Sequence, residues 1–184
     1  MPSLSEAEKG SALQLARTAV IETVTHRKLP SLIPREGVFA ERRGVFVTLH
    51  VHRRLQGCIG VVEPDEPLGD AIVRCAAGAA LEDPRFAPLR ADQLGELSIE
   101  ISLLSPPAPI SPEAIELGRH GLLLVHHSKP GLLLPQVAIE HHLTREQFLE
   151  ETCRKAALPR EAWSDPEARL FAFTCEVFSD EKQL

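Results

Sequence analysis

The stretch Leu55–Gly60 places one cysteine between two glycines, Gly57 and Gly60, inside a run that otherwise has the pattern of a β-strand. Glycine within a strand loses more backbone entropy on folding than other residues and contributes no side chain to the packing. Two glycines around a single thiol therefore indicate a bulge, a close approach of another backbone segment, or space kept open for a ligand. This stretch is the first candidate for a functional site.

The same stretch forms the second half of a predicted β-hairpin. Apolar residues occupy alternate positions in 45–51 and again in 55–61, on either side of a short polar connection. Matching the two apolar faces needs a loop with an odd number of residues, so we predict a three-residue turn over His52–Arg54 that places Thr48 opposite Cys58. The second face of the hairpin then carries the polar and small residues Thr48, His50, Gln56, Cys58 and Gly60.

Composition and charge restrict the class of protein. The chain has 184 residues, of which 43% are hydrophobic and 25% charged, as is typical of a globular domain with its own core. The formal net charge of −6 disfavours nucleic acid as a partner, because only Arg42–Arg43 and Arg53–Arg54 form short basic runs. The apolar stretches are far shorter than the roughly 20 residues of a membrane span, and residues 1–10 lack the apolar core of a signal peptide. We therefore expect a cytoplasmic protein that binds neither nucleic acid nor membranes.

Helical and strand patterns along the chain predict an α+β fold, with β-sheets flanked by helices. Capping boxes at Ser5–Glu8 and Thr144–Gln147 predict the starts of two helices, and a stripe of small residues predicts another helix from Leu68 to about Asp83. Further strands are predicted over 97–104, 121–125, 131–134 and 169–178, the second and third joined through 128–131. We expect a single domain over 1–184, in which the proline-rich stretch 105–112 forms a seam between two lobes.

The four cysteines are Cys58, Cys75, Cys153 and Cys175, and their wide spacing without a C-x-x-C pair favours free thiols. Three of them lie in helical or apolar strand patterns, where cysteine commonly serves as a small buried hydrophobe. Only Cys58 has unusual neighbours, which makes it the candidate catalytic residue, a thiol nucleophile. The alternative is that Gly57, Cys58 and Gly60 are small so that the alanine-rich helix can pack against them.

Several other residues are candidates to bind a ligand. Asp83 and Arg85 could contact one beside Cys58, or could equally form a local ion pair at the end of a helix. Gln136 follows a proline that interrupts an apolar run, so it could line a pocket or end an edge strand. The ligand-binding candidates are Thr48, Gln56, Gly57, Gly60, Asp83, Arg85 and Gln136. Glu100, by contrast, is explained by alternation as the solvent face of its strand.

The sequence contains no recognised cofactor or metal motif. His50, His52 and the pairs His126–His127 and His141–His142 lack the carboxylate or cysteine spacing that completes a metal site. A Walker loop, a dinucleotide-binding glycine motif and a serine-nucleophile elbow are also missing, as is a cysteine trio for an iron–sulfur cluster. We therefore expect no metal and no cofactor.

Four segments occur in the order and spacing of one known family: Gly44–Leu49, Leu55–Gly60, Asp83–Phe86 and Leu132–Val137. With the Phe148–Leu149 helix, the Cys153–Ala156 segment and Trp163, the chain resembles the AMMECR family through almost its whole length. The resemblance implies a compact α+β structure with a larger and a smaller lobe. Prokaryotic members resemble the A component of the AmmeMemoRadiSam system, whose genes accompany a Memo-like protein and a radical SAM protein.

Two positions depart from the family pattern. Gln56 stands where the family usually has an arginine, so any anion contact or thiolate stabilisation by that cation must come from Arg53, Arg54 or Arg85. Ala157 stands where glycine is usual after Lys155–Ala156, a change that concerns the end of a helix.

Two functions remain open for this biochemically uncharacterised family. In the first, the two lobes form a cleft around Cys58, and the protein is a thiol-dependent enzyme acting on a small molecule or modified residue. In the second, it is a noncatalytic adapter that binds the Memo-like or radical SAM protein, or a peptide ligand.

Overall fold

The computed structural model describes residues 3–180, which form two compact units. Of these residues, the first unit comprises 3–104 and 176–180, and the second comprises Ser105–Cys175. In chain order the elements are α1 (Glu6–His26), β1 (Val45–Val51), β2 (Arg54–Val61), α2 (Leu68–Leu81), β3 (Leu97–Leu104), β4 (Ala108–Pro109), β5 (Gly121–His126), β6 (Lys129–Leu133), α3 (Pro135–Glu140), α4 (Arg145–Lys155), β7 (Arg169–Phe173) and β8 (Cys175–Ser179). Helices and antiparallel sheets together confirm the predicted α+β class.

Helix α1 begins at the predicted capping box. The Ser5 side chain accepts a hydrogen bond from the Glu8 main-chain N–H, and the Glu8 carboxylate accepts one from the Ser5 N–H at 2.8 Å. These reciprocal bonds satisfy donors that the first turn of a helix leaves without partners. The helix ends at His26, and Arg27 caps it with a left-handed backbone, φ of 54°.

The sheet of the first unit has the strand order β2-β1-β3-β8. Burial along β1 alternates strictly, and its odd-numbered side chains Val45, Val47, Leu49 and Val51 belong to the core with the buried residues of α1 and α2. The even-numbered positions of β1 lie on the opposite face of the sheet. Strand β2 lies at one edge of this sheet.

The hairpin register was predicted correctly in its middle and wrongly at its tip. Thr48 pairs with Cys58 as predicted, but the turn has two residues, His52 and Arg53, with φ of 51° and 63°. The register shifts between Leu49 and His50, so that Gln56 is an extra residue in β2 and Leu55 pairs with His50. Leu55 therefore leaves the apolar face and is 42% exposed.

Helix α2 packs closely on β2 because small residues line its buried face. Ala71, Cys75, Ala76 and Ala79 are buried there, as the spacing predicted. A Cβ atom at Gly57 would overlap the main-chain carbonyl oxygen of Ala79. Glycine at this position allows the helix backbone to approach the strand directly.

The second unit contains a sheet of order β4-β7-β5-β6. Helix α4 begins at the predicted Thr144–Gln147 capping box, and its Phe148 and Leu149 side chains are buried in the core of this unit. A Cβ atom at Gly131 in β6 would overlap the main-chain carbonyl oxygen of Thr152. Close backbone approach thus recurs in both units.

Two sequence predictions for the second unit, the β5–β6 turn and the closing strand, were wrong in detail. The β5–β6 turn is His127–Ser128, with φ of 46° and 65°, so Pro130 lies within β6. Pro135 opens α3, a position where its missing N–H costs no hydrogen bond, and the edge strand β6 ends two residues before it. The closing run 169–178 divides at Thr174 into β7 and β8, which belong to different sheets.

No helix within residues 3–180 combines the length and apolar character that a bilayer crossing requires.

Candidate functional site

Cys58 lies on β2 opposite Thr48 of β1, and its side chain is half-buried. The Cys58 main-chain N–H and C=O point away from β1, because they bind residues outside the hairpin. Thr48 and Cys58 therefore form a non-hydrogen-bonded cross-strand pair, the kind in which the two side chains lie close together. The Thr48 hydroxyl accordingly donates a hydrogen bond to Cys58 Sγ at 3.3 Å.

Asp83, in the loop after α2, binds the backbone of Cys58. Its carboxylate accepts hydrogen bonds from the Cys58 N–H at 2.8 Å and from the Arg85 main-chain N–H at 3.1 Å. It also accepts bonds from Arg85 Nε and Nη2 at 2.9 and 2.7 Å, in a bidentate pair. The Asp83 side chain is only 2% exposed, so these donors replace the water it has lost.

Arg85 completes a closed network with Asp83 and Cys58. Its Nη2 donates to the Cys58 carbonyl oxygen at 3.3 Å as well as to Asp83, and its guanidinium lies 5.3 Å from the centre of the Phe86 ring. The guanidinium holds the pKa of the Asp83 carboxyl well below its ordinary range, with further lowering by the N–H donors and partial opposition from burial. Asp83 therefore stays ionised, and the network fixes the peptide groups on both sides of Cys58.

The remaining candidates in the hairpin have structural contacts. The Gln56 side-chain amide donates to the Ala87 carbonyl oxygen at 2.8 Å, which ties the bulge to the loop that carries Arg85. Gly57 contacts the α2 backbone, and Gly60 lies beside the Phe46 ring, which would overlap a Cβ there. Of the cations that could replace the family's arginine at position 56, Arg85 contacts Cys58, through the Cys58 carbonyl oxygen.

Six of the seven predicted ligand-binding residues belong to the first unit, around Cys58. The seventh, Gln136, lies in α3 of the second unit. The other thiols differ from Cys58 in environment. Cys75 and Cys153 are fully buried, and burial raises the pKa of Cys75 to about 11 and also raises the pKa of Cys153.

Glu100, which alternation explained as a solvent-facing residue, is brought into line with the thiol by the sheet. Thr48 pairs with Cys58 on one side and with Glu100 on the other, so the three residues form a row across β2, β1 and β3. Alternation correctly placed Glu100 off the core face, but the pairing of β3 with β1 carries no local sequence signal. Within residues 3–180 there is no cluster of three or more histidine, cysteine or acidic side chains suited to a metal ion.

Comparison with known proteins gives a consistent result. The AMMECR1 family matches residues 13–178. A protein of Thermococcus gammatolerans is 42% identical over 183 residues, which cover 92% of this chain and 88% of the relative. A protein of Methanothermobacter thermautotrophicus is 40% identical over 188 residues, or 97% of each chain.

A solved structure shares the fold. The crystal structure of the uncharacterized protein PH0010 from Pyrococcus horikoshii superposes with a TM-score of 0.88 at 36% identity, covering 97% of this chain and 94% of that protein. Both the fold and the sequence match extend through nearly the whole chain. The protein therefore belongs to the AMMECR1 family.

Proposed function

We propose that the protein is a thiol-dependent enzyme in which Cys58 is the nucleophile, acting on a small molecule or modified residue. The observation that carries the proposal is the Thr48 hydrogen bond to the sulfur of a half-buried Cys58 whose own backbone is fixed by Asp83 and Arg85. A donor directed at the sulfur stabilises the thiolate, which is the reactive form. A fixed backbone limits the reorganisation needed when the sulfur attacks.

Arg85 is the group we propose for substrate binding. Its side chain is 58% exposed, and its Nε and Nη2 are used by Asp83 and Cys58. Within residues 3–180 its Nη1 has no hydrogen-bond partner. An anionic or carbonyl group of a substrate at Nη1 would be positioned near the thiol.

The proposed step is a substitution at an electrophilic carbon. The Cys58 sulfur forms a bond to that carbon, the bond to the leaving group breaks with its electron pair, and the thiol proton passes to the leaving group. Water then breaks the sulfur–carbon bond, giving its hydroxyl to the carbon and its remaining proton to the sulfur. The chemistry requires no cofactor.

The test combines thiol labelling with turnover of an activated ester. At neutral pH, iodoacetamide should label Cys58 faster than the half-buried Cys175, as followed by mass spectrometry of each site. Thr48→Val removes the hydroxyl but keeps the shape, and the loss of a hydrogen bond of about 1 kcal/mol should slow Cys58 labelling about fivefold. The Cys175 rate serves as the internal control and should not change.

With p-nitrophenyl acetate, the wild-type protein should release nitrophenol and carry the acetyl group on Cys58. Cys58→Ser should lose both signals while remaining folded. Labelling of Cys58 only after unfolding, or equal ester turnover by Cys58→Ser, would contradict the proposal. A Cys58→Ser protein that is strongly destabilised would instead assign the residue to packing.

A second candidate is a noncatalytic adapter for the Memo-like and radical SAM proteins. The observation that favours it is Leu55, which the bulge leaves 42% exposed at the end of the edge strand β2. An exposed apolar side chain beside a strand edge is suited to bind another protein. In titrations with a Memo-like protein, Leu55→Asp should weaken an adapter's affinity while Cys58→Ser leaves it unchanged.

A further inference from the structure

The second unit contains a pocket of about 500 Å³, within the size range of small-molecule sites. Its lining residues are Leu133, Val137, His141, Leu143, Glu151, Arg154 and Lys155. All of them belong to the second unit, so the pocket is separate from the network around Cys58.

The lining divides into an apolar part and a charged part. Leu133 at the end of β6, Val137 in α3 and Leu143 before α4 supply the apolar surface, and all three pack in or against the core of this unit. The charged groups Glu151, Arg154 and Lys155 come from the last turns of α4. An apolar surface with a few polar groups on one side suits an amphipathic ligand.

Among the charged side chains that line the pocket, one cation has no counterion within residues 3–180. Arg154 forms an ion pair with Glu151, which neutralises both groups. Lys155 makes no ion pair with any residue in 3–180. The His141 imidazole adds a polar group that can donate a hydrogen bond. The guanidinium, ammonium and carboxylate groups that line the pocket therefore carry a net charge of +1, which matches a monoanion better than a dianion.

We propose that this pocket binds an organic monocarboxylate with an apolar or aromatic body. The apolar body contacts Leu133, Val137 and Leu143, and the carboxylate accepts hydrogen bonds from the Lys155 ammonium. The long methylene chain of Lys155 can cover the bound ligand while its charged end remains hydrated. This binding site is independent of any chemistry at Cys58, so the two proposals can fail separately.

The experiment uses the full chain and the probe 1-naphthylacetate, titrated by isothermal calorimetry. The neutral 1-naphthylacetamide has nearly the same shape and should bind at least about tenfold more weakly, since it lacks the charge-assisted hydrogen bond. The dianion 1-naphthyl phosphate should not bind more tightly than the acetate. Lys155→Met should reduce acetate affinity to that of the amide, whereas Lys129→Met, which changes an exposed lysine outside the pocket, should have no effect.

A second variant tests the apolar part. Val137→Phe places a larger side chain in the pocket and should abolish binding of both naphthyl probes, with Trp163 fluorescence confirming that the second unit remains folded. Equal affinity for the acid and the amide, or unchanged binding by Lys155→Met, would overturn the carboxylate assignment. Tighter binding of the phosphate would assign the site to a phosphorylated ligand instead. Absence of saturable binding by 1-naphthylacetate would refute the proposal.

Discussion

The carboxylate of Asp83 accepts a hydrogen bond from the main-chain N–H of Cys58 at 2.8 Å, across a sequence separation of 25 residues. The bond satisfies an N–H at the free edge of the sheet, where β2 has no further strand. Because Arg85 binds both this carboxylate and the Cys58 carbonyl oxygen, two residues fix the peptide groups on either side of Cys58. The backbone that carries the thiol is therefore held by Asp83 and Arg85, in addition to the Thr48 contact with the sulfur itself.

Asp83→Asn should destabilise the protein by about 2 kcal/mol. The buried carboxylate accepts four N–H bonds and pairs with Arg85, and an amide in its place has neither the charge nor the second acceptor oxygen. Urea unfolding followed by far-UV circular dichroism would measure the free energy. The chain provides a matched control in Arg90 and Asp92, a pair with the same spacing whose side chains are both 68% exposed.

Asp92→Asn should cost much less stability than Asp83→Asn, since solvent weakens an exposed ion pair. Similar losses for the two variants would show that burial does not distinguish the Asp83 pair. Site-resolved alkylation of Asp83→Asn should also show an altered Cys58 rate, because the backbone that carries the thiol is no longer fixed.

Asp83 also gives the stability an acid dependence. In the unfolded chain the carboxyl takes up a proton near its ordinary pKa of about 4, whereas the pKa in the folded protein is held well below that value by Arg85. The unfolded state therefore binds more protons as the pH falls, and the stabilisation present above about pH 5 is lost below it. The difference in unfolding free energy between the wild type and Asp83→Asn should shrink from pH 5 to pH 3, about one unit on either side of the ordinary pKa. A constant difference over this range would mean that the carboxylate is not the origin of the effect.

Gly57→Ala should destabilise the first unit by about 2 kcal/mol or more, because its methyl group would overlap the Ala79 carbonyl oxygen and displace α2 from β2. Gly10→Ala is the control, since a Cβ at Gly10 has no neighbour within 4 Å and the residue lies inside α1. That change should stabilise the protein by about 0.5–1 kcal/mol through helix propensity. Thermal unfolding of both variants would check the opposite signs.

Ala157→Gly should increase the stability of the second unit by about 1 kcal/mol. Ala157 follows the end of α4 with φ of +54°, a left-handed conformation that is unfavourable for residues with a Cβ and free of this cost in glycine. Fluorescence of Trp163, the single tryptophan, would report the unfolding of this unit.

The same substitution inside a helix should have the opposite effect. Ala77→Gly lies in the middle of α2 and should cost about 1 kcal/mol, because glycine has the lower helix propensity. A loss of stability in Ala157→Gly would imply that the left-handed conformation at Ala157 is not retained in solution.

The local elements could be predicted because their signals lie within a few residues of one another. The Ser5–Glu8 and Thr144–Gln147 capping boxes start helices where predicted, and the alternation over 97–104 corresponds to β3. Each of these features depends on hydrogen bonds or side-chain periodicity along a single segment. Family membership also followed from the order of motifs in the chain, and the match over residues 13–178 confirms it.

The hairpin contains a feature that the sequence pattern did not predict, the bulge at Gln56. Alternation placed Thr48 opposite Cys58, but it assigned Leu55 to the apolar face, because a single bulged residue at Gln56 leaves no periodic signal. The bulge depends on the two-residue turn at His52–Arg53, whose backbone twist suits the hairpin, and on the contact of Gln56 with the Ala87 carbonyl oxygen. Turn geometry and a distant acceptor together set the local register.

The sequence by itself determined the helices, most of the strands, the α+β class, the family and the unusual position of Cys58. Only the tertiary structure decided what surrounds the thiol: the return of the loop that brings Asp83 and Arg85 to its backbone, and the pairing that places Glu100 in its row. The physical reason is that helix and strand patterns reflect interactions between near neighbours in the chain. The contacts of Cys58 join segments that are distant in the chain and are brought together by burial of the core. No pattern within either segment predicts that they meet.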